Sequence, residues 1–124
     1  MSSELQISSS QEQGNVPVTV LKMQGEIDTA NAHLVQEAAE KELAAGAKNM
    51  ILDLTGITYV SSSGLRAIHI IYKSLEPEAG EGGVKSAHLK LVSPPAKVLG
   101  IMKAIGFDRF LEVFDSQAEA LASF

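Results

Sequence analysis

The chain has 124 residues, with 10 Lys and Arg against 15 Asp and Glu, a net charge of −5, and no cysteine. This length indicates one domain, spanning 1–124, which can bury a core without covalent staples. The lack of cysteine excludes disulfides, thiol catalysis and cysteine-ligated metals, and the acidic balance argues against nucleic acid as a partner. Because no apolar run approaches the ~20 residues of a membrane-spanning helix and residues 1–10 lack the features of a secretory signal, we expect a cytoplasmic protein without membrane insertion.

The first elements predict a hairpin followed by a helix. Alternating residues over 5–10 and 16–23 indicate two antiparallel strands joined by a polar turn at 11–15. The period then breaks, and Asp28 or Thr29 is well placed to cap a helix that runs to about residue 45. The apolar stripe of this helix predicts its inward face: Leu34, Val35, Ala38, Ala39 and Leu43.

The middle of the chain predicts a central strand, a turn and a second helix. The apolar run 49–54 is typical of a strand covered on both faces in a parallel sheet, and the polar stretch from 55 indicates a turn. The helix that follows predicts this inward face: Leu65, Ile68, Ile71, Tyr72 and Leu75. Its opposite face carries Arg66, His69 and Lys73.

The remaining elements complete an alternation of strands and helices. A glycine-rich stretch at 77–87 indicates a flexible surface loop, and 88–92 a further strand. Ser93, Pro94 and Pro95 supply a cap and a proline start for a third helix. Its predicted inward residues are Val98, Ile101, Met102 and Ile105, and a last short strand within 107–114 and a closing helix at 116–123 follow. We therefore expect an α/β domain with a mixed, mostly parallel sheet of four to five strands and about four helices.

The sequence carries none of the common catalytic motifs, neither glycine-rich nucleotide loops nor metalloprotease or serine-hydrolase signatures. Gly80, Gly82 and Gly83 follow a helix rather than a strand and flank Glu81, so a plain loop is favoured over a phosphate loop. The three histidines lie one on each of three elements, which favours surface or capping roles over metal ligation. We predict neither an enzyme nor a metal ion or cofactor.

Three consecutive serines, Ser61, Ser62 and Ser63, separate the central strand from the second helix. One serine at the helix N-cap is worth typically ~1 kcal/mol. Ligands of open α/β sheets bind at the carboxyl ends of the strands, so a hydroxyl here is also placed to carry a phosphate that the helix N-terminus would stabilise. The residues themselves leave both interpretations open.

The run Asp53–Leu65, with Gly25–Asp28 before it and Ser93–Phe107 after it, resembles the STAS domain family, and in particular its anti-sigma factor antagonists. The resemblance implies a non-enzymatic module that binds, when unphosphorylated, an anti-sigma factor that is also a serine kinase, and so releases a sigma factor. Phosphorylation of a serine before the second helix ends that binding, and a phosphatase restores it. The implied partners are therefore the kinase and a phosphatase.

The resemblance also implies individual site residues. Ser62 aligns with the phosphoacceptor, whereas Ser61 stands where family members usually have aspartate and is a second candidate hydroxyl. Asp28 matches an acidic residue beside the phosphorylation corner, although it also suits a helix cap. The expected partner-binding residues are Asp28, Ser61, Ser62, Ser63, Gly64, Arg66 and His69. For Arg66, His69 and Lys73 a merely solvated helix face is the alternative.

A second class of function fits the same resemblance. The chain would then be a structural STAS subunit of a membrane transport complex that packs against an ATPase without being phosphorylated. The serine at the acceptor position favours the antagonist. An enzyme acting through Ser62 is the weakest alternative, because no motif places a general base near it.

Overall fold

A computed structural model of the chain describes residues 5–76 and 87–124. The predicted loop at 77–87 lies, except for its last residue, outside the described residues. Within them, strands and helices alternate after an initial hairpin. The elements are β1 (Gln6–Gln13), β2 (Pro17–Ile27), α1 (Ala32–Ala44), β3 (Met50–Val60), α2 (Ser62–Leu75), β4 (Leu89–Val92), α3 (Ala96–Ala104), β5 (Glu112–Phe114) and α4 (Gln117–Ala122), with a 3-10 turn at Phe107–Arg109.

The strands form one sheet in the order β1-β2-β3-β4-β5. β1 is antiparallel to β2, whereas β2, β3, β4 and β5 are mutually parallel. The parallel strands need helical crossovers, and the helices that the sequence places between them supply these. The predicted α/β class, the antiparallel hairpin and the mixed, mostly parallel sheet are confirmed.

Both faces of the sheet are covered. On one face, the buried residues of α1, α2 and α3 form the larger core with alternate residues of the strands, among them Leu21 and Met23 of β2. On the other face, α4 covers a smaller cluster that includes Val18 and Val20. The two side-chain sets of β2 therefore point into different cores.

β2 and β3 are both longer than predicted. The sequence indicates a break at Gly25 and a turn from Thr55, but β2 continues to Ile27 and β3 to Val60. The pairing register shifts between Lys22 and Gln24 and again between Gly25 and Glu26. Bulges of this kind absorb extra residues and let the ladder continue past a glycine. As a result, β2 and β3 end side by side.

β1 differs from prediction in extent. It continues to Gln13, so the turn occupies 14–16 rather than 11–15. The predicted short strand within 107–114 is confirmed as its final three residues, and a 3-10 turn occupies the first three. α4 is confirmed, with Ser116 as its cap.

α1 begins later than predicted, because Asn31 and not Asp28 or Thr29 precedes its first turn. The Asn31 amide donates to the Asp28 carboxylate at 2.9 Å, and the Asp28 amide donates to the Asn31 side chain at 2.8 Å. Asp28 therefore closes a turn ahead of the helix. Leu34 was predicted to face inward but is 41% exposed. The buried positions of α1 are instead Ala32, Val35 and Ala39.

α3 corrects two further predictions. The Ser93 hydroxyl donates to the carbonyl of Asp115 at 2.8 Å and does not cap the helix. Val98 and Met102 are buried, but Ile101 and Ile105 are 40% and 55% exposed. The helix packs along a single i, i+4 row, so the neighbouring positions of the apolar stripe stay on the surface.

Lys90 of β4 is a buried cation beneath the end of α4. Its ammonium donates to the hydroxyl and the carbonyl of Ser123 at 2.9 and 3.1 Å and contacts Glu112 at 3.4 Å. The same nitrogen lies 4.7 Å from the ring centre of Phe124. These contacts satisfy the buried charge next to the end of α4.

None of the described helices is both long and apolar enough to cross a membrane. Over the same residues, 5–76 and 87–124, no group of three or more histidines and carboxylates is arranged to hold a metal ion.

Candidate functional site

The corner between β3 and α2 lies where the two longest strands end. Ile27 pairs with Val60 at the ends of β2 and β3, and the Ser61 amide donates to the carbonyl of Ile27 at 2.8 Å. Asp28 follows Ile27 directly and is half-buried. The structure therefore brings Asp28 and Ser61, predicted from separate motifs, to the ends of neighbouring strands.

Ser61 is the N-cap of α2. Its hydroxyl oxygen accepts a hydrogen bond from the Gly64 amide at 3.1 Å, and its carbonyl accepts one from the Leu65 amide at 2.9 Å. The residue is only 7% exposed. The capping role that the serine run predicted therefore belongs to Ser61.

Ser62 is the first residue of α2, and it is exposed. Ser63 is half-buried, so the three serines occupy three different environments. The first turn of α2 contains no acidic residue, so no carboxylate of the helix itself offsets the partial positive charge of its N-terminus. Of the three hydroxyls, that of Ser62 belongs to the most accessible residue.

Gly64 fixes how closely α2 approaches the strands. The glycine is buried, and a Cβ placed on it would lie 2.7 Å from Ile27 Cγ2 and 2.7 Å from Val60 Cγ1. Any larger residue would push the helix away from the strand ends. Gly64 therefore holds the corner in place, and its backbone amide binds Ser61.

A shallow groove of about 390 Å³ opens beside Ser62, and we call it the α2–α3 groove. It lies between the exposed face of α2 and the exposed edge of α3. Its lining residues are Ser62, Leu65, Arg66, His69, Ile101, Ile105 and Phe107. The His69 ring lies 6.3 Å from that of Phe107 and 5.8 Å from that of Phe110, centre to centre. Three of the predicted site residues, Ser62, Arg66 and His69, thus share one groove.

The groove contains three residues that the sequence assigned elsewhere. Ile101 and Ile105 were predicted to face the core, and Phe107 was placed at the start of the segment that contains the last strand. The width of the apolar stripe of α3 could have indicated that some of its residues stay exposed. α3 has only nine residues, and its apolar positions extend beyond the one row that it buries.

A model of the STAS domain family matches residues 9–120. Because the match takes in most of the chain, the chain belongs to the STAS domain family. Among its relatives is BtrV of Bordetella bronchiseptica, a candidate anti-sigma factor antagonist, which is 28% identical over 102 residues, or 82% of each chain.

Two solved proteins share the fold. An anti-sigma factor antagonist from Mycobacterium paratuberculosis matches with a TM-score of 0.79 at 20% identity, covering 97% of this chain and 93% of its own. The antagonist SpoIIAA in its unphosphorylated form gives a TM-score of 0.62 at 18% identity, covering 91% of this chain and 93% of its own. Its phosphorylated form gives 0.65 at 17%, covering 92% and 96%. The predicted family and the SpoIIAA-like fold are confirmed.

Proposed function

We propose that this chain is a cytoplasmic, non-enzymatic anti-sigma factor antagonist, regulated by phosphorylation of Ser62. The observation that carries the proposal is that two adjacent serines differ in burial and in hydrogen bonding. Ser61 is buried and caps α2, whereas Ser62 is exposed at the first position of the helix. The fold of the chain, and relatives that bear the antagonist name, support the same function.

In its unphosphorylated state the corner docks on an anti-sigma factor that is also an ATP-dependent serine kinase, and the sigma factor is released. The kinase transfers the γ-phosphoryl group of ATP to the Ser62 oxygen, ADP leaves, and a base of the kinase takes the hydroxyl proton. The phosphate adds about −1.5 to −2 charges. Repulsion and the cost of desolvating this charge end the docking, and a phosphatase reverses the modification.

The other corner residues have separate roles in this proposal. Asp28, at the end of the neighbouring strand, contacts the partner beside Ser62, as does Ser63. Gly64, also expected from the sequence to bind the partner, is buried and acts by holding the corner in place. Ser61 is a poor second acceptor, because its oxygen is buried and engaged with the Gly64 amide. Arg66 and His69 extend the contact surface along α2.

The proposal is tested with the purified ATP-binding anti-sigma factors of the same genome. One of them should bind the wild-type chain and Ser62→Ala, but bind Ser62→Asp at least tenfold more weakly, because the carboxylate imitates part of the phosphate charge. Incubation with ATP should add one phosphate to the wild-type chain and to Ser61→Ala, and none to Ser62→Ala, by intact-mass spectrometry.

Ser74→Asp is the matched control, since it makes the same change on an exposed residue at the other end of α2. It should bind like the wild-type chain. Equal affinity of Ser62→Ala and Ser62→Asp, with no phosphate transfer, would contradict the proposal and favour the structural subunit of a transport complex instead.

A further inference from the structure

The two helices that enclose the α2–α3 groove have a charge opposite to that of the chain as a whole. α2 contains two Lys or Arg and no Asp or Glu, and so does α3. The whole chain has 15 acidic against 10 basic residues, and the neighbouring helix α1 has three Glu and one Lys. Arg66 is the charged residue in the lining of the groove, and neither helix carries a carboxylate to oppose it. The groove therefore favours an acidic occupant.

Most lining residues of the groove are apolar, and the polar ones are Ser62, Arg66 and His69. Ile101 and Ile105 are large aliphatic residues at 40% and 55% exposure, and they lie beside Phe107. An occupant that covers them removes apolar surface from water. Arg66 and His69 supply the polar groups, and Arg66 has the stronger and permanent charge.

The groove is continuous with the interface proposed above, because Ser62 is one of its lining residues. Its volume of about 390 Å³ is at the small end of the range of ligand pockets. A volume of this size suits one or two aliphatic side chains rather than a whole helix. Its occupant therefore combines a short aliphatic anchor with a negative charge.

We propose that the α2–α3 groove binds a short segment of the anti-sigma factor in which aliphatic side chains stand next to a carboxylate. The aliphatic groups contact Ile101 and Ile105, and the carboxylate pairs with the guanidinium of Arg66. The identity of the partner rests on the proposed function, whereas the chemistry of the segment rests on the groove.

This arrangement also specifies how a phosphate on Ser62 acts. Arg66 follows Ser62 by four residues, so both side chains lie on the same face of α2, one turn apart. The phosphate competes for the Arg66 guanidinium that the partner's carboxylate otherwise uses. Phosphorylation therefore places a negative charge at the groove and also occupies its cationic anchor.

The first experiment measures the affinity of the anti-sigma factor that binds the wild-type chain. Arg66→Glu should weaken binding by at least about tenfold, because arginine is enriched among the residues that dominate binding energy. The double variant Ile101→Ala, Ile105→Ala should weaken it by about the same factor, because it removes apolar surface that the partner covers. All three changed residues are exposed, and thermal unfolding confirms that the variants remain folded.

Two controls match these changes outside the groove. Lys41→Glu makes the same charge reversal on an exposed residue of α1, and Leu34→Ala truncates an aliphatic residue of 41% exposure. Both should bind within twofold of the wild-type chain. If the groove variants bind like the wild-type chain while Ser62→Asp does not, the proposed function stands and the groove proposal is overturned. Equal losses from the controls overturn it as well.

The second experiment does not need the partner. The ¹⁵N-labelled chain is titrated with the peptide acetyl-Leu-Glu-Leu-Leu-Glu-amide and with its counterpart that has Lys in place of Glu. The acidic peptide should shift the amide signals of Arg66, His69, Ile101 and Ile105 at millimolar concentration, with at least threefold weaker shifts in Arg66→Glu. Equal binding of the two peptides, or signal shifts outside the groove, would overturn the proposal. It would also be overturned if the wild-type chain were a dimer and the isoleucine variants were monomers, because a second copy of the chain would then cover the groove. Groove binding without any binding of an anti-sigma factor would remove only the proposed function.

Discussion

Helices α2 and α4 begin in the same way but differ in their surroundings. The Ser61 side chain accepts a hydrogen bond from the Gly64 amide at 3.1 Å, and the Ser116 side chain accepts one from the Glu119 amide at 3.2 Å. In α4, however, the Ser116 hydroxyl also donates to the Glu119 carboxylate at 3.1 Å. The first turn of α4 therefore already holds an anion, whereas that of α2 holds none.

A serine cap is a structural feature and does not by itself mark a functional site. A serine cap satisfies an orphan amide at the start of a helix, and both helices use it. Only α2 adds an exposed serine after the cap, a buried glycine that fixes the corner and a cationic groove beside it. The surroundings of the serine, and not the serine itself, make the start of α2 a candidate site.

The largest expected effect comes from Gly64, for which α4 has no counterpart. Gly64→Val should lower the free energy of unfolding by about 3 kcal/mol, because the added side chain collides with Ile27 and Val60. Urea unfolding followed by circular dichroism measures the change. Gly100→Ala in α3 is the control. An added Cβ there meets nothing within 4 Å, so alanine should raise stability by about 0.5–1 kcal/mol. If Gly64→Val were as stable as the wild-type chain, the close approach of α2 to the strand ends at Gly64 would be contradicted.

The second effect concerns the attachment of α4. Lys90→Ala should cost about 2 kcal/mol, because it removes a buried side chain together with its contacts to Ser123 and Phe124. Lys90→Met keeps the apolar stem, and a buried charge costs desolvation, so it should cost less than about 1 kcal/mol. Equal losses from the two variants, measured by thermal unfolding, would show that the ammonium and not the stem holds α4.

The two caps themselves provide the third test. Ser61→Ala should cost about 1–2 kcal/mol, because it leaves a buried amide without a partner. Ser116→Ala should cost about 0.5–1 kcal/mol, because water reaches the first turn of α4. Chemical unfolding of both single variants measures the difference. A larger loss of stability from Ser116→Ala than from Ser61→Ala would contradict the expected difference between the two caps.

The smallest effect is a pH dependence in α2. Burial, and secondarily the Glu76 carboxylate, raises the pKa of Tyr72 above its ordinary value. The folded state therefore retains the phenolic proton more tightly than the unfolded chain does. This contribution to stability is complete below about pH 10 and is lost as the pH rises further. Tyr72→Phe should reduce the fall in melting temperature between pH 9 and pH 11, and an unchanged fall would contradict the assignment.

The sequence predicts those features that depend on local pattern. The hairpin, the central strand at 49–54 and the two faces of α2 follow from hydrophobic period, and the serine corner follows from composition. The extension of β3 to Val60 does not, because it depends on bulges in the pairing with β2, a strand more than 20 residues away.

The prediction errors at the candidate site likewise concern features that depend on contacts between distant parts of the chain. Periodicity places Ile101 and Ile105 on an apolar stripe, but the width of the surface that α3 covers decides whether a stripe is buried. Likewise, three identical serines differ in exposure because the first of them is held at the strand end, where the Ser61 amide donates to the carbonyl of Ile27. Residue type and hydrophobic period do not distinguish Ser61 from Ser62, and only the resemblance to the family assigns them different positions.

The placement of Ser62 has a practical consequence. The contacts that hold the start of α2 involve the main chain and Ser61, so the outward side chain at position 62 is replaceable with little cost in stability. Because the chain contains no cysteine, Ser62→Cys would introduce a single thiol at the corner. A fluorophore attached there would report directly on the environment of this one position, whether free or covered by another protein.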